Sequence, residues 1–221
     1  ITLPVAMLLF ELFFVRNKEG RIYKLYLAVT FSIIAILSVF ILFGGFLPKE
    51  TESISRSEYL FTQFRVILKY IQLLLLPVNQ TLDYDFSISE TFFNWRVIVS
   101  FLVILGIIIL AIFSYRKKHL LSFGILWFFI TLSVESSILP IKDVFNEHRL
   151  YLPIVGFSLI FVSLVWDYFS NKSFIGVIVF FVLLNIVYGF ATYEQNKSWK
   201  SKLSLWLDNT EKKPHNARSH N

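Results

Sequence analysis

The chain has 221 residues, of which 56% are hydrophobic and only 16% are charged. A soluble domain carries about a quarter charged residues, and mean hydropathy here is +0.64, so an ordinary soluble domain is excluded. The net charge of +6 lies in short loops beside apolar runs, where topology and lipid headgroups account for it better than nucleic acid does, and with no cysteine a disulfide framework or thiolate metal site is excluded.

Ile1–Val15 is apolar apart from Glu11 and reads as the end of a spanning helix. The chain opens inside that run and stops in polar sequence at Asn221, so it reads as a fragment of a longer protein. Arg16–Lys24 is a basic loop, Leu25–Leu47 a span closed by Gly44, Gly45 and Pro48, and Lys49–Ser57 a polar linker. In Tyr59–Leu76 the apolar residues Leu60, Phe64, Ile67, Leu68, Ile71 and Leu75 recur at helical spacing, interrupted by Gln63, Arg65, Lys69 and Gln72. That pattern predicts an amphipathic helix, lying in the interface or packed on a bundle, that Pro77 ends. Asn79–Trp95 is a polar loop with aromatics and acids.

Further spans follow at Val97–Tyr115, Leu120–Leu139, Tyr151–Phe169 and Phe174–Tyr193. The expectation is therefore all-α: a polytopic helical membrane protein of about six spans and one interfacial helix, with residues 1–193 in the membrane and 194–221 a polar tail. The loops holding Arg16, Lys18, Arg21, Lys24, Arg116, Lys117, Lys118 and Lys172 are the more densely basic set. They are placed in the cytoplasm, which puts the acid-rich loops and the tail outside. Asp167 then lies near water, Arg16 or Lys18 can pair with Glu11, and Asn185 can bond between helices.

The stretch ESSILPIKDVFNEHRLYLP, residues 135–153, concentrates Glu135, Lys142, Asp143, Glu147, His148 and Arg149 between two apolar runs. A solvated loop with internal ion pairs, Lys142 with Asp143 or Glu147 with Arg149, is the plain explanation. Three features argue for more. Glu135 lies inside the apolar run. His148 and Arg149 run straight into Tyr151, Leu152 and Pro153. Pro is tolerated in a first helical turn, which puts Arg149 at the mouth of the next helix, where guanidinium and free N–H groups can grip a phosphate. In LDYDFS, Asp83 and Asp85 are two apart and point the same way if extended. Two carboxylates do not specify a metal, so divalent-metal dependence stays open and no cofactor is assigned. Tyr84 and Phe86 read there as interfacial anchors.

The segment ESSILPIKDVFNEHRLYLPIVGF resembles a late loop and helix of the TMTC-type (transmembrane and tetratricopeptide-repeat) O-mannosyltransferases and their bacterial relatives. That family has a run of the form ER-x-YLP-S-x-G-F. Here Glu147, Arg149, Tyr151, Leu152, Pro153, Gly156 and Phe157 match in type, with His148 inserted and Ile154 in place of a small polar residue. LLLLPVNQTLDYDFS resembles the family's central Leu-rich helix, Pro and acidic-aromatic run, and ITLPVAMLLFELFF one of its spans. LWLDNTEKKPHNARSHN resembles the approach to a first tetratricopeptide repeat.

The resemblance implies the C-terminal half of a C-type glycosyltransferase that uses a polyprenyl-phosphate sugar donor and a protein or glycan acceptor. Its catalytic carboxylates are expected in an earlier external loop outside this chain, leaving the fragment inactive alone. Arg149 is then the expected donor-phosphate contact, with His148 and Lys142 secondary, Glu147 orienting Arg149 and Tyr151 lining the groove; Glu135, Asp83 and Asp85 are further candidates. In such inverting transfer an acceptor hydroxyl attacks the sugar, a carboxylate takes its proton and lipid phosphate leaves, its charge stabilised by a cation. The Ile/Phe/Lys-rich composition suggests a bacterial inner membrane. Two other readings are a membrane anchor for a periplasmic repeat scaffold and a lipid-linked sugar transporter, although neither inverted repeats nor helices broken at mid-span are visible.

Overall fold

The computed structural model describes residues 2–14, 24, 28, 29, 31–33, 35, 36, 54–78, 80, 81, 84, 86–133, 136, 143–169 and 174–212. All regular structure among them is helical. The order is α1 Thr2–Phe14, α2 Arg56–Leu75, α3 Trp95–Ser114, α4 His119–Leu132, a 3-10 turn Glu147–Leu150, α5 Pro153–Phe169, α6 Phe174–Ser198 and α7 Lys202–Lys212.

Among the described residues, α3 and α6 are the two helices long and apolar enough to cross a membrane. α1, α4 and α5 are apolar but shorter. The expected span Leu25–Leu47 and the end of Leu120–Leu139 fall largely outside the described residues. Both long helices are mostly exposed, with large apolar side chains such as Leu102, Leu110, Phe113, Ile186 and Phe190 facing outward. Surface of that kind has to be covered by lipid or by other helices, which separates these two from the buried core helix of a soluble protein.

α4 is the centre of the bundle and touches α1, α3 and α5. It is apolar all round, as a helix enclosed on every side must be. On one side Phe10, Phe13 and Phe14 of α1 set their rings against Phe123, with centroids 4.9 to 6.3 Å away. On another, the Ser122 hydroxyl donates to the Ala111 carbonyl of α3 at 2.7 Å. On the third, Gly124 meets Gly156 of α5. A Cβ at Gly156 would stand 2.5 Å from the Gly124 carbonyl oxygen and 2.8 Å from the Phe128 nitrogen. No side chain larger than hydrogen fits between these backbones.

α2 starts at Arg56, earlier than its apolar pattern suggests, because Ser55 and Glu58 form a capping box. The Glu58 amide donates to the Ser55 hydroxyl at 3.2 Å, and the Ser55 amide donates to the Glu58 carboxylate at 2.8 Å. The buried face also differs from the expected stripe. Tyr59, Thr62, Gln63, Val66, Ile67, Tyr70 and Leu73 are buried, whereas Leu75 is half exposed. Of the two expected placements, α2 takes packing on the bundle.

The described part of the polar tail, to Lys212, is mostly helical. α6 continues to Ser198, and after a turn in which the Ser201 and Ser204 side chains cap each other's backbone, α7 folds back toward α6. At the far end of α5, Asp167 pairs with Lys118 at 2.8 Å, both side chains about half exposed.

Candidate functional site

The loop 143–150 is built into the core. Phe145 is buried, with its ring 4.7 Å from Tyr70, 4.3 Å from Tyr84 and stacked at 5.8 Å on Phe86. Phe145 and Leu150 share one cluster with Val66, Ile67, Leu73, Ile104, Phe128 and Leu132. A buried loop must satisfy its backbone groups, and α2 supplies the partners. The Gln63 amide donates to the Val144 carbonyl at 3.0 Å. The Tyr70 hydroxyl donates to the Asn146 carbonyl at 2.9 Å and accepts from the Asn146 N–H at 3.1 Å. These polar residues of α2 are therefore buried because the loop needs them.

Arg149 belongs to the same frame. Only 8% exposed, it donates to the Asp143 carbonyl at 2.5 Å and the Val144 carbonyl at 3.3 Å. Its guanidinium is thus turned into its own loop and draws the chain around itself. The turn leaves Glu147 on the other side. There the Tyr84 hydroxyl donates a short hydrogen bond to Glu147 Oε1 and accepts from the Thr81 N–H at 3.3 Å. Burial, and then Glu147 itself, hold the Tyr84 phenol well above its usual value, so it stays a donor. Burial pushes the Glu147 carboxyl up, while the Tyr84 hydroxyl and the charges of Lys212 and Lys69 pull it back.

Glu147 and Tyr151 line a cavity of about 320 Å³ with Leu73, Leu74, Gln80, Leu150 and Ile154. Tyr151 is 86% exposed and stands at its rim. Leu74 and Ile154 also line a second, larger space of about 580 Å³. That groove runs between the end of α2, α5 and α6, and Leu76, Phe157, Phe161 and Phe181 make it apolar. Asn185 lines it too, its amide donating to Phe181 of its own helix at 2.8 Å rather than to another helix. The Tyr188 hydroxyl closes one end by donating to the Leu74 and Leu75 carbonyls at the end of α2. A cavity whose mostly apolar wall carries Glu147 and Gln80 thus adjoins an apolar groove, and Leu74 of α2 and Ile154 of α5 line both.

Of the expected residues, Glu147 and Tyr151 meet in the cavity, Arg149 lies behind it in the loop, and the His148 side chain is exposed. Glu135, Lys142, Asp83 and Asp85 lie outside the described residues. Tyr84 and Phe86, expected as membrane anchors, instead pack on the loop, with Arg65 Cζ 5.0 Å above the Phe86 ring. Tyr84, Gln80 and Lys212 are contributors that the sequence reading missed. For Tyr84 the signal was a hydroxyl amid an acidic-aromatic run; for Gln80 and Lys212, polar residues with no local partner requirement, there was none. Among the described residues, no group of three or more His, Asp or Glu could hold a metal ion.

Two relatives share this stretch of chain. Protein O-mannosyl-transferase TMTC1 of Homo sapiens is 27% identical over 175 residues, 72% of this chain and 20% of that protein. Protein O-mannosyl-transferase TMTC1 of Mus musculus is 27% identical over 198 residues, 80% of this chain and 21% of that protein. The chain spans about a fifth of the length of either. No family model and no solved structure matches it. The similarity is that of a distant TMTC-like relationship.

Proposed function

We propose that the chain is the membrane part of a glycosyltransferase of the protein O-mannosyltransferase kind, and that it binds a lipid-phosphate sugar donor. One observation carries the reading: the cavity that holds Glu147 and the apolar groove adjoin, sharing Leu74 and Ile154 in their walls. A donor of this class has the same two halves, a sugar phosphate and a polyprenyl chain. Ligand sites are concave and mostly apolar, with a few placed polar groups, and here the one carboxyl, that of Glu147, stands in the cavity and not in the groove. The distant similarity to proteins named O-mannosyl-transferases supports the choice of chemistry.

In this reading Glu147, held by Tyr84, accepts hydroxyl protons of the sugar, and Tyr151 covers the headgroup from the rim. Arg149 is a positioning residue that shapes the turn carrying both. The base that takes the acceptor hydroxyl's proton comes from the longer protein beyond these residues, so this segment binds donor but does not transfer it alone.

The test is titration of the full-length protein with a short-chain polyprenyl-phosphate mannose. Ile154→Trp puts an indole across the junction and should weaken binding at least tenfold, because head and tail can no longer be seated together. Leu183→Trp, on the exposed face of α6 and outside the lining of the groove, should leave it unchanged. Wild-type protein that fails to bind the donor sinks the reading and favours a membrane anchor.

A further inference from the structure

Lys212, at the end of α7, has an arrangement that an exposed helix lysine does not need. Its ammonium donates to Asp208 Oδ2 at 2.8 Å, one turn back on its own helix. It also donates to the Gln80 carbonyl at 2.9 Å, in the loop after α2, and to Gln195 Oε1 of α6 at 3.4 Å. Three segments far apart in sequence converge on one charge. Its side chain is 25% exposed, so it is neither solvated freely nor sealed away.

The place of that charge matters. Gln80 lines the Glu147 cavity, so Lys212 is tied to the cavity wall through the Gln80 carbonyl. Its field and that of Lys69 both reach the Glu147 carboxyl. An anionic headgroup entering a cavity that already holds a carboxyl needs compensating positive charge, because an unpaired buried charge costs several kcal/mol. Arg149, the cation expected to provide it, is engaged with the Asp143 and Val144 carbonyls. A lysine ammonium is a compact charge with three rotatable donors. Lys212 can keep the Gln80 carbonyl and turn a donor from Asp208 or Gln195 toward a phosphate oxygen.

We infer that Lys212, carried on α7, completes the cavity as the phosphate-binding cation of the lipid-linked ligand, with Lys69 as a second, more distant charge. The inference rests on the proposed donor site and names its anion-binding group. It makes the helix after the last span part of the donor site rather than a plain connection to whatever follows.

Binding to the full-length protein in detergent tests it with three probes: a short-chain polyprenyl phosphate, the matching neutral polyprenol, and inorganic phosphate. Lys212→Met keeps the aliphatic stem and should lose about tenfold or more for polyprenyl phosphate, as expected for a charge-assisted contact. It should leave polyprenol binding unchanged, and Lys212→Arg should stay within about threefold of wild type. Equal affinity of wild type and Lys212→Met for polyprenyl phosphate overturns the inference while leaving the donor site standing. So does a parallel loss for polyprenol, which marks a role in docking α7 alone. Inorganic phosphate binding as tightly as polyprenyl phosphate overturns the lipid-linked part. Wild type binding none of the three overturns both this inference and the proposed function. Should Lys212→Met fail to fold, Asp208→Asn removes the competing negative charge and should tighten polyprenyl phosphate binding about threefold; no change or a loss overturns the inference.

Discussion

Among the described residues, α5 meets two of its neighbours, α4 and α6, in opposite ways. Against α4 it packs backbone to backbone at Gly124 and Gly156, and Trp127 adds a hydrogen bond to the Leu152 carbonyl at 3.0 Å. Against α6 it presents Phe161 to Phe180 and Phe181, with ring centroids 6.1 and 6.4 Å apart, and an open groove remains beside them. Lipid tails are as apolar as leucine, so helices inside a membrane gain little from apolarity as such. Close approach and hydrogen bonds decide which pairs close. Two glycines bring α4 and α5 together, while bulky rings hold α5 and α6 apart. The same helix therefore fixes the loop frame on one side and leaves room for a long apolar ligand on the other.

The comparison breaks most sharply at Gly156. Gly156→Ala puts a methyl against backbone atoms of α4 that cannot swing away, and should destabilise the protein by about 3 kcal/mol in denaturant unfolding. Gly189→Ala on α6 has open space around it and should be neutral or stabilise by about 0.5 kcal/mol. Equal effects at the two sites would remove the distinction between the closed and open contacts. Tyr70→Phe comes next. It leaves the Asn146 N–H and carbonyl without their hydroxyl and should cost about 2 kcal/mol. A loss near zero would mean that the frame does not depend on α2.

The smallest effect should be one of pH. Glu147 is raised in the folded state, chiefly by burial, so the folded protein holds its proton longer than the unfolded chain does. Stability from this group is fully present below the ordinary carboxyl value of 4.5 and is lost as pH rises through the higher folded value. Glu147→Gln keeps an acceptor for Tyr84 but has no proton to lose. Its melting temperature relative to wild type should rise as pH goes from about 4 to 8 and then level. A difference that is flat with pH would show that the carboxyl lies in an ordinary environment.

Much of this could be read along the chain. Pro77 follows the end of α2 and Pro153 opens α5, as backbone chemistry requires. The span expected at Val97–Tyr115 is α3 to within two residues. The face of α2 could not be read in the same way. A stripe of Leu, Ile and Phe predicts burial by transfer from water, but Thr62, Gln63 and Tyr70 are buried because distant backbone needs them. The Ser89 N–H donates to Thr62 Oγ1 at 2.8 Å, and the other two bond the loop. The role expected of Arg149 at a helix mouth was sound local chemistry, yet the bare carbonyls of Asp143 and Val144 hold its guanidinium at closer range.

By itself, the amino-acid sequence determined an all-helical apolar chain with a charged loop before Pro153, because helix periodicity, proline and hydrophobicity are local properties. Only the tertiary structure decided that Gly124 faces Gly156, that Tyr84 holds Glu147, and that Lys212 folds back onto Gln80. Each of those contacts joins residues more than thirty positions apart. Whether they form depends on how closely helices approach and which buried groups lack a partner, and no local pattern records either.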